Sequence, residues 1–347
     1  MKKCIIIITI IIATQTTYAQ FGGGNGTEAS PYQISTKEHL ELLADSVNNS
    51  APHPADNWSK DKYFIVINNI TEPVNTVIGS YAPFNIEFSK PFSGNFDGQN
   101  YTINLEIYLT TEFSAGLFGY TAFATIKNVI VYGYVYGYDY AGGIVAVADN
   151  TTIENCINLA SISGERRHLG GIAGYISRTS ISNCANLGTI YGDVDGYLGG
   201  IAGYSESNAN IENCINSGRI MGEGCIAGIT AWAFINVSIK NCVNSGTISG
   251  STGHSGGIIG LTHNYIFVEN CINLGSITES AGHTGGIAAC VSETTIIFDC
   301  VNYGFIKGID DVGGIAGHDY GGIIENCFNT GIIEGGAEIT GAIRGSE

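Results

Sequence analysis

Seven cysteines share one setting. Cys156, Cys184, Cys214, Cys242, Cys271, Cys300 and Cys327 sit in a phrase whose full form is Ile-x-Asn-Cys-x-Asn-x-Gly-x-Ile, as in ISNCANLGTI at 181–190. Thiols flanked by amides suit either a disulfide framework or a soft-metal site. No Cys-x-x-Cys pair is present, the count is odd, and Val129 fills the same place in the precursor phrase IKNVIVYGYV. Those three facts favour an inward ladder of free thiols over bridges or zinc.

Three other groups carry chemistry. Two residues before a recurring glycine pair stand Tyr140, His168, Tyr197, His254, His283 and Asp311. The last three fall in successive units, so they are the candidate metal ligands, set against plain stacking of turn residues. Asp193-Val194-Asp195-Gly196 and Asp310-Asp311 are fragments of a calcium loop, and neither is complete. Calcium is thus the one cofactor the residues suggest.

Aromatic side chains supply the candidate ligand-binding residues. Tyr132, Tyr134, Tyr136 and Tyr138 alternate with Val131, Gly133, Val135 and Gly137, and Tyr140 continues the period. Period two puts the rings on one face of a strand. Such rings offer sugars an apolar body with a polar tip, although tyrosine is also an ordinary strand residue. The second place is Trp232 with Phe234. From Ile220 to Ile226 there are six residues, where nine to eleven separate the equivalent isoleucines elsewhere. The segment 229–236, which carries both rings, is therefore expected to protrude, as a ligand contact or a lid.

Evidence for an enzyme is thin. Acidic residues are scattered, basic ones do not align between units, and Arg166-Arg167 is an isolated pair in a turn. Neither a nucleophile elbow nor a phosphate loop is present.

The elements that position these residues follow from composition and period. The chain has 347 residues, 49 glycines and 19 tyrosines against 14 phenylalanines, with 13% charged residues. That balance is β-rich. Lys2 and Lys3, the apolar run 5–13 and Thr17-Tyr18-Ala19 read as a secretory signal, residues 1–19. The run is too short to span a membrane. Loss of the two lysines takes the net charge from −17 to −19, which repels phosphate backbones and excludes nucleic acid as a partner.

Ser35 and Glu38 form a capping-box pattern, and Leu40, Leu43, Ala44 and Val47 follow at helical spacing. One helix over 36–47 is predicted, placed to cover an open end. Strands are expected at 63–70 and 101–107, with a turn at Asp97-Gly98. From residue 113 the repeat takes over. Its leading isoleucine returns every 27 to 30 residues, and a second phrase, Gly-Gly-Ile-Ala-Gly or a variant, returns with it. A period of that length, with glycine, asparagine and serine breaking short β segments, marks a solenoid.

Gly116-Leu117-Phe118-Gly119, Gly171-Ile172-Ala173-Gly174 and Gly314-Ile315-Ala316-Gly317 resemble the GLUG motif. That repeat occurs in secreted and surface bacterial proteins, some of them IgA-cleaving metallopeptidases. The opening at 26–34 and the turn at 92–98 are similar to the leader that precedes such repeats. The resemblance implies a right-handed parallel β-helix over 26–347. It does not imply peptidase activity, because the peptidase members carry a separate catalytic domain and this chain has no His-Glu-x-x-His.

The expected architecture is an all-β parallel solenoid: a signal at 1–19, a capping segment and first coils at 20–112, and repeats at 113–347. The expected role is an exported, adhesin-like binding or structural module for a glycan or a host cell-surface protein. A carbohydrate-active lyase or hydrolase on the same fold is the alternative. An uncovered last coil would favour end-to-end self-association.

Overall fold

The computed structural model describes residues 20–51, 57–335, 340–341 and 344–346. The segment 1–19, where a signal is expected, lies outside them, as does part of the last coil on which the self-association expectation rests.

One coil shows the construction. Thr152–Glu154 forms a short first wall. Ile157–Asn158, Ser161–Gly164 and His168–Gly170 form a longer, bent second wall, and Ala173–Ser177 forms the third. The next coil repeats this in parallel register: Ile153 pairs with Ile181, Ile162 with Ile190 and Ala173 with Ala202. Stacked coils give sheets of 11, 23 and 9 strands, the largest collecting several segments per coil. The fold is the expected parallel β-solenoid. Inside it run columns of fully buried side chains, among them Ile153, Cys156, Ile162, Ile172 and Ile176. Each such isoleucine contributes about 2 kcal/mol by leaving water.

The two asparagine columns, alike in sequence, do different work. Asn155, Asn183, Asn213, Asn241, Asn270 and Asn326, with Asp299 standing in, all have φ between 51° and 55°. They turn the chain from the first wall to the second, and asparagine is the side chain that tolerates left-handed backbone best. The other column, Asn158 to Asn302, is fully buried. There each amide donates to the next: Asn158 to Asn186, Asn186 to Asn216 and Asn216 to Asn244, all at 2.8 Å. Each also donates to a backbone carbonyl two residues on, at 3.0–3.2 Å. This is an amide ladder that satisfies the inner turn.

The cysteine column consists of free thiols. Each Sγ lies 3.1–3.3 Å from the carbonyl two residues before it.

The glycine pair has a spatial reason. A Cβ at Gly170 would stand 1.8 Å from the Ala173 carbonyl oxygen. One at Gly171 would stand 2.3 Å from both the Asn186 side chain and the Gly200 carbonyl. At this coil the second wall bends into the third through two positions that leave no room for a Cβ.

The helix spans Lys37–Asn48, and its buried residues are Leu40, Leu43, Ala44 and Val47, as spaced. They join one apolar interior with Ile34, Phe64 and Phe96. The capping box does not form. Thr36 is the N-cap without a side-chain bond, and the Ser35 N–H donates to His39 Nδ1 at 3.1 Å. The turn expected at Asp97-Gly98 falls instead on Gln99 and Asn100, with φ of 50° and 62°. The strand expected over 63–70 is two, Tyr63–Val66 and Ile70–Val74.

The irregular coil is corrected by the register. Leu198 pairs with Ile226, so Ile226 is not the isoleucine of the glycine phrase. Ala227-Gly228-Ile229 is that phrase, with alanine in the first glycine position. The shortening is confined to the bend between Gly222 and Gly224. Nothing protrudes at 229–236: Thr230–Phe234 is an ordinary third-wall strand, with Trp232 between Tyr204 and Leu261.

Candidate functional site

Two columns of outward side chains face each other across the glycine-pair bend. On the second wall, two residues before the pair, register gives Ser114, Tyr140, His168, Tyr197, Cys225, His254 and His283. On the third wall, Tyr120, Val147, Tyr175, Tyr204, Trp232, Leu261, Cys290 and His318 stack in order. The bend tilts the walls toward each other, so the columns meet outside the core.

The N-terminal half of this corner is aromatic. Tyr140 stacks on His168 at 4.8 Å, and both meet Tyr175 edge-on at 6.0 Å. Tyr175 stacks on Tyr204 at 5.4 Å, and Trp232 meets Tyr197 edge-on at 4.9 Å. Phe234 lies flat on His263 at 5.2 Å. Burial raises the hydroxyl pKa of Tyr140, Tyr175 and Tyr204, and for Tyr175 a hydrogen bond to Glu206 adds to it. His168 is held down to about 3, by burial first and then by Arg167. Tyr140, Tyr175 and Tyr204 are packed and half-buried, and His168 is buried.

The C-terminal half changes character. His254 and His283 stack at 4.9 Å, and His318 tilts against His283 at 4.9 Å. Asp311 Oδ2 lies 2.7 Å from His283 Nδ1 and 2.9 Å from His318 Nδ1. Cys290 Sγ lies 3.5 Å from His254 Nδ1. Burial lowers His254 to about 4, with His283 and His318 adding to the effect, and burial raises the Cys290 thiol. A pocket of about 410 Å³ opens beside His254 and Cys290, walled by Leu261, Thr262 and Tyr320.

Among the expected ligands, His283 meets His254 in one cluster and Asp311 in another. Spacing missed Cys290 and His318, which approach from the other wall. Each is the residue directly after the glycine phrase, so a column drawn at that position would have collected them with Tyr175, Tyr204 and Trp232. Asp310 is exposed and pairs with His283. The side chains of Asp193 and Asp195 lie outside what the structure describes.

The tyrosine stripe is elsewhere, on the outer face of the second wall. Ile130–Gly137 buries Val131 and Val135 and turns Tyr132, Tyr134 and Tyr136 outward. Tyr136 stacks on Tyr108 at 4.6 Å, and its hydroxyl donates to Glu165 at 2.8 Å. The Tyr134 hydroxyl donates to Glu106 at 3.2 Å. Arg166 lies over the Tyr138 ring at 4.7 Å. Tyr108 is 63% and Tyr134 41% exposed. Tyr140 leaves this row and belongs to the corner.

The GLUG motif family matches residues 195–221. In structure the chain is similar to a Bacteroides ovatus protein provisionally assigned as an immunoglobulin A1 protease. That match has 20% identity and a TM-score of 0.57, covering 83% of this chain and 80% of the other. It is also similar to an IgA1 protease at 13% identity and a TM-score of 0.50, covering 90% of this chain and 21% of that one. At such identities the likeness is one of fold. No curated protein matches the chain in sequence. The chain thus carries the GLUG motif on a solenoid like those of IgA1 protease-type proteins. No helix among the described residues is long and apolar enough to cross a membrane.

Proposed function

We propose that the chain is a binding module on a β-solenoid scaffold, exported by the leader at 1–19 and acting outside the cell in an adhesin-like role. Residues 20–112 serve as cap and first coils, and 113–347 as the repeat body. The ligand is a glycan, free or carried on a host surface protein. The observation that carries this reading is the tyrosine ledge of Tyr108, Tyr132, Tyr134, Tyr136 and Tyr138. Its rings are held on a rigid wall, two are well exposed, and Glu106 and Glu165 stand among their hydroxyls. Rings of that kind stack on the apolar face of a sugar, while carboxylates accept from its hydroxyls. A rigid platform loses little entropy on binding.

A glycan array read with the chain, with Tyr134→Ala and with Trp232→Ala tests the proposal. Binding that falls about tenfold or more in Tyr134→Ala, and persists in Trp232→Ala, supports recognition at the ledge. The reverse pattern moves recognition to the corner. An array without any bound glycan sinks the reading.

A further inference from the structure

Along the second wall Tyr197 and Cys225 are followed by His254 and His283, and along the third Trp232 and Leu261 are followed by Cys290 and His318. We propose that His283, Asp311 and His318 bind a divalent transition metal of the zinc class. The site is independent of the tyrosine ledge and holds whether or not that surface recognises a glycan.

The geometry supplies the argument. The ligand atoms of these three residues all lie within 4.8 Å of one another, and those of His254, His283 and Cys290 form a second such group sharing His283. Imidazole nitrogen and carboxylate oxygen are donors that zinc-class ions prefer, and three protein ligands leave a position open. His283 Nδ1 is buried, with Asp311 Oδ2 2.7 Å away. Two nitrogens on different walls thus stand within 2.9 Å of one carboxylate oxygen. Around a tetrahedral ion, with bonds near 2.1 Å, ligand atoms stand roughly 3.4 Å apart. Opening these two contacts by about 0.5–0.7 Å, within side-chain rotation, gives the spacing of a coordination shell. Asp311 brings a carboxylate to the cluster, and the chain as a whole is at −17, so a cation is attracted.

Three ligands come from three stations of the fold. His283 lies on Gly282–Gly285, Asp311 on Asp310–Gly313 one coil later, and His318 on Ala316–Asp319 across the bend. An ion here would tie two coils and two walls together.

The test is cobalt titration of the chain followed by visible absorption, with equilibrium dialysis against micromolar zinc for stoichiometry. About one ion per chain and tetrahedral d–d bands are expected. Asp311→Asn retains shape and suits the φ of 41° at that position, while its amide is a far poorer ligand. It and His318→Asn should each weaken binding at least tenfold. His263→Ala, outside the cluster, and Cys290→Ser should leave it unchanged. No retained zinc, or full binding in both Asp311→Asn and His318→Asn, overturns the proposal. A thiolate-to-cobalt charge-transfer band that disappears in Cys290→Ser also overturns it, assigning the ion to His254, His283 and Cys290 instead.

Discussion

Replacing Asn216 by alanine probes the amide ladder at its middle. The Asn216 amide donates to the Gly218 carbonyl at 3.1 Å and to Asn244 Oδ1 at 2.8 Å, and it accepts from Asn186 Nδ2 at 2.8 Å. Its side chain is fully buried. Three hydrogen bonds at about 1 kcal/mol net each are lost. Asn244 Oδ1 then keeps no donor from the ladder in a buried site, a further cost of about 1–2 kcal/mol. Asn186 still holds the Gly188 carbonyl, so its loss is partial. The expected destabilisation is about 3–5 kcal/mol, in the range reserved for broken buried networks. Asn213→Ala is the companion change, three residues away. Asn213 is exposed at a φ of 55°, and alanine there costs about 1 kcal/mol of backbone strain, which Asn213→Gly avoids. Urea titration followed by far-ultraviolet circular dichroism gives the midpoint of each variant, and the shift multiplied by the slope gives the loss. A cost below about 1 kcal/mol for Asn216→Ala, or equal costs for both alanine variants, would refute the ladder as a source of stability.

Other consequences follow from packing and charge. His168 has a folded pKa of about 3, below its ordinary value, so the unfolded chain takes up its proton first. Its contribution is complete above pH 6.5 and is lost as pH falls toward 3, on the order of 3 kcal/mol by pH 4. His168→Phe should flatten the acid limb of stability measured between pH 6 and 4; an unchanged slope would contradict the burial argument. A Cβ at Gly200 would meet the Gly228 carbonyl oxygen at 2.0 Å and the Asn216 side chain at 2.4 Å. Gly200→Ala should therefore cost about 2–3 kcal/mol or more in the same urea assay, and a neutral result would show that the bend can relax. Because the cysteine ladder is unbridged, reductant should leave the melting temperature unchanged. A drop of several degrees, as expected when about 2–4 kcal/mol of cross-link is removed, would reveal disulfides.

Period and residue identity carried most of the scaffold. An apolar residue every 27 to 30 positions can stay inside only if each repeat makes one coil, and that determined the solenoid. The helix was legible from four apolar positions, but its cap was not, because His39 reaches back to Ser35 in competition with the Ser35–Glu38 pattern. The irregular coil was misread for a related reason. Ala227 fills a glycine position, so matching by identity placed Ile226 three residues out of frame, whereas register compares backbone positions and ignores side-chain names.

The two asparagine columns mark the boundary between what the sequence determined and what tertiary structure decided. Sequence set their recurrence and their place beside the cysteine. Only the coil path decided that one column turns outward at positive φ while the other turns inward and hydrogen-bonds along the axis. The same holds for the metal-ligating corner. His254 and His283 align along one wall by period alone, and Asp311 stands at the irregularity where His283 pairs with Asp310. Cys290 and His318 join them because Gly-Gly, with no Cβ to hold the backbones apart, folds the third wall back against the second. Period is a property of the chain read along its length, and convergence across a bend depends on an angle that no spacing records.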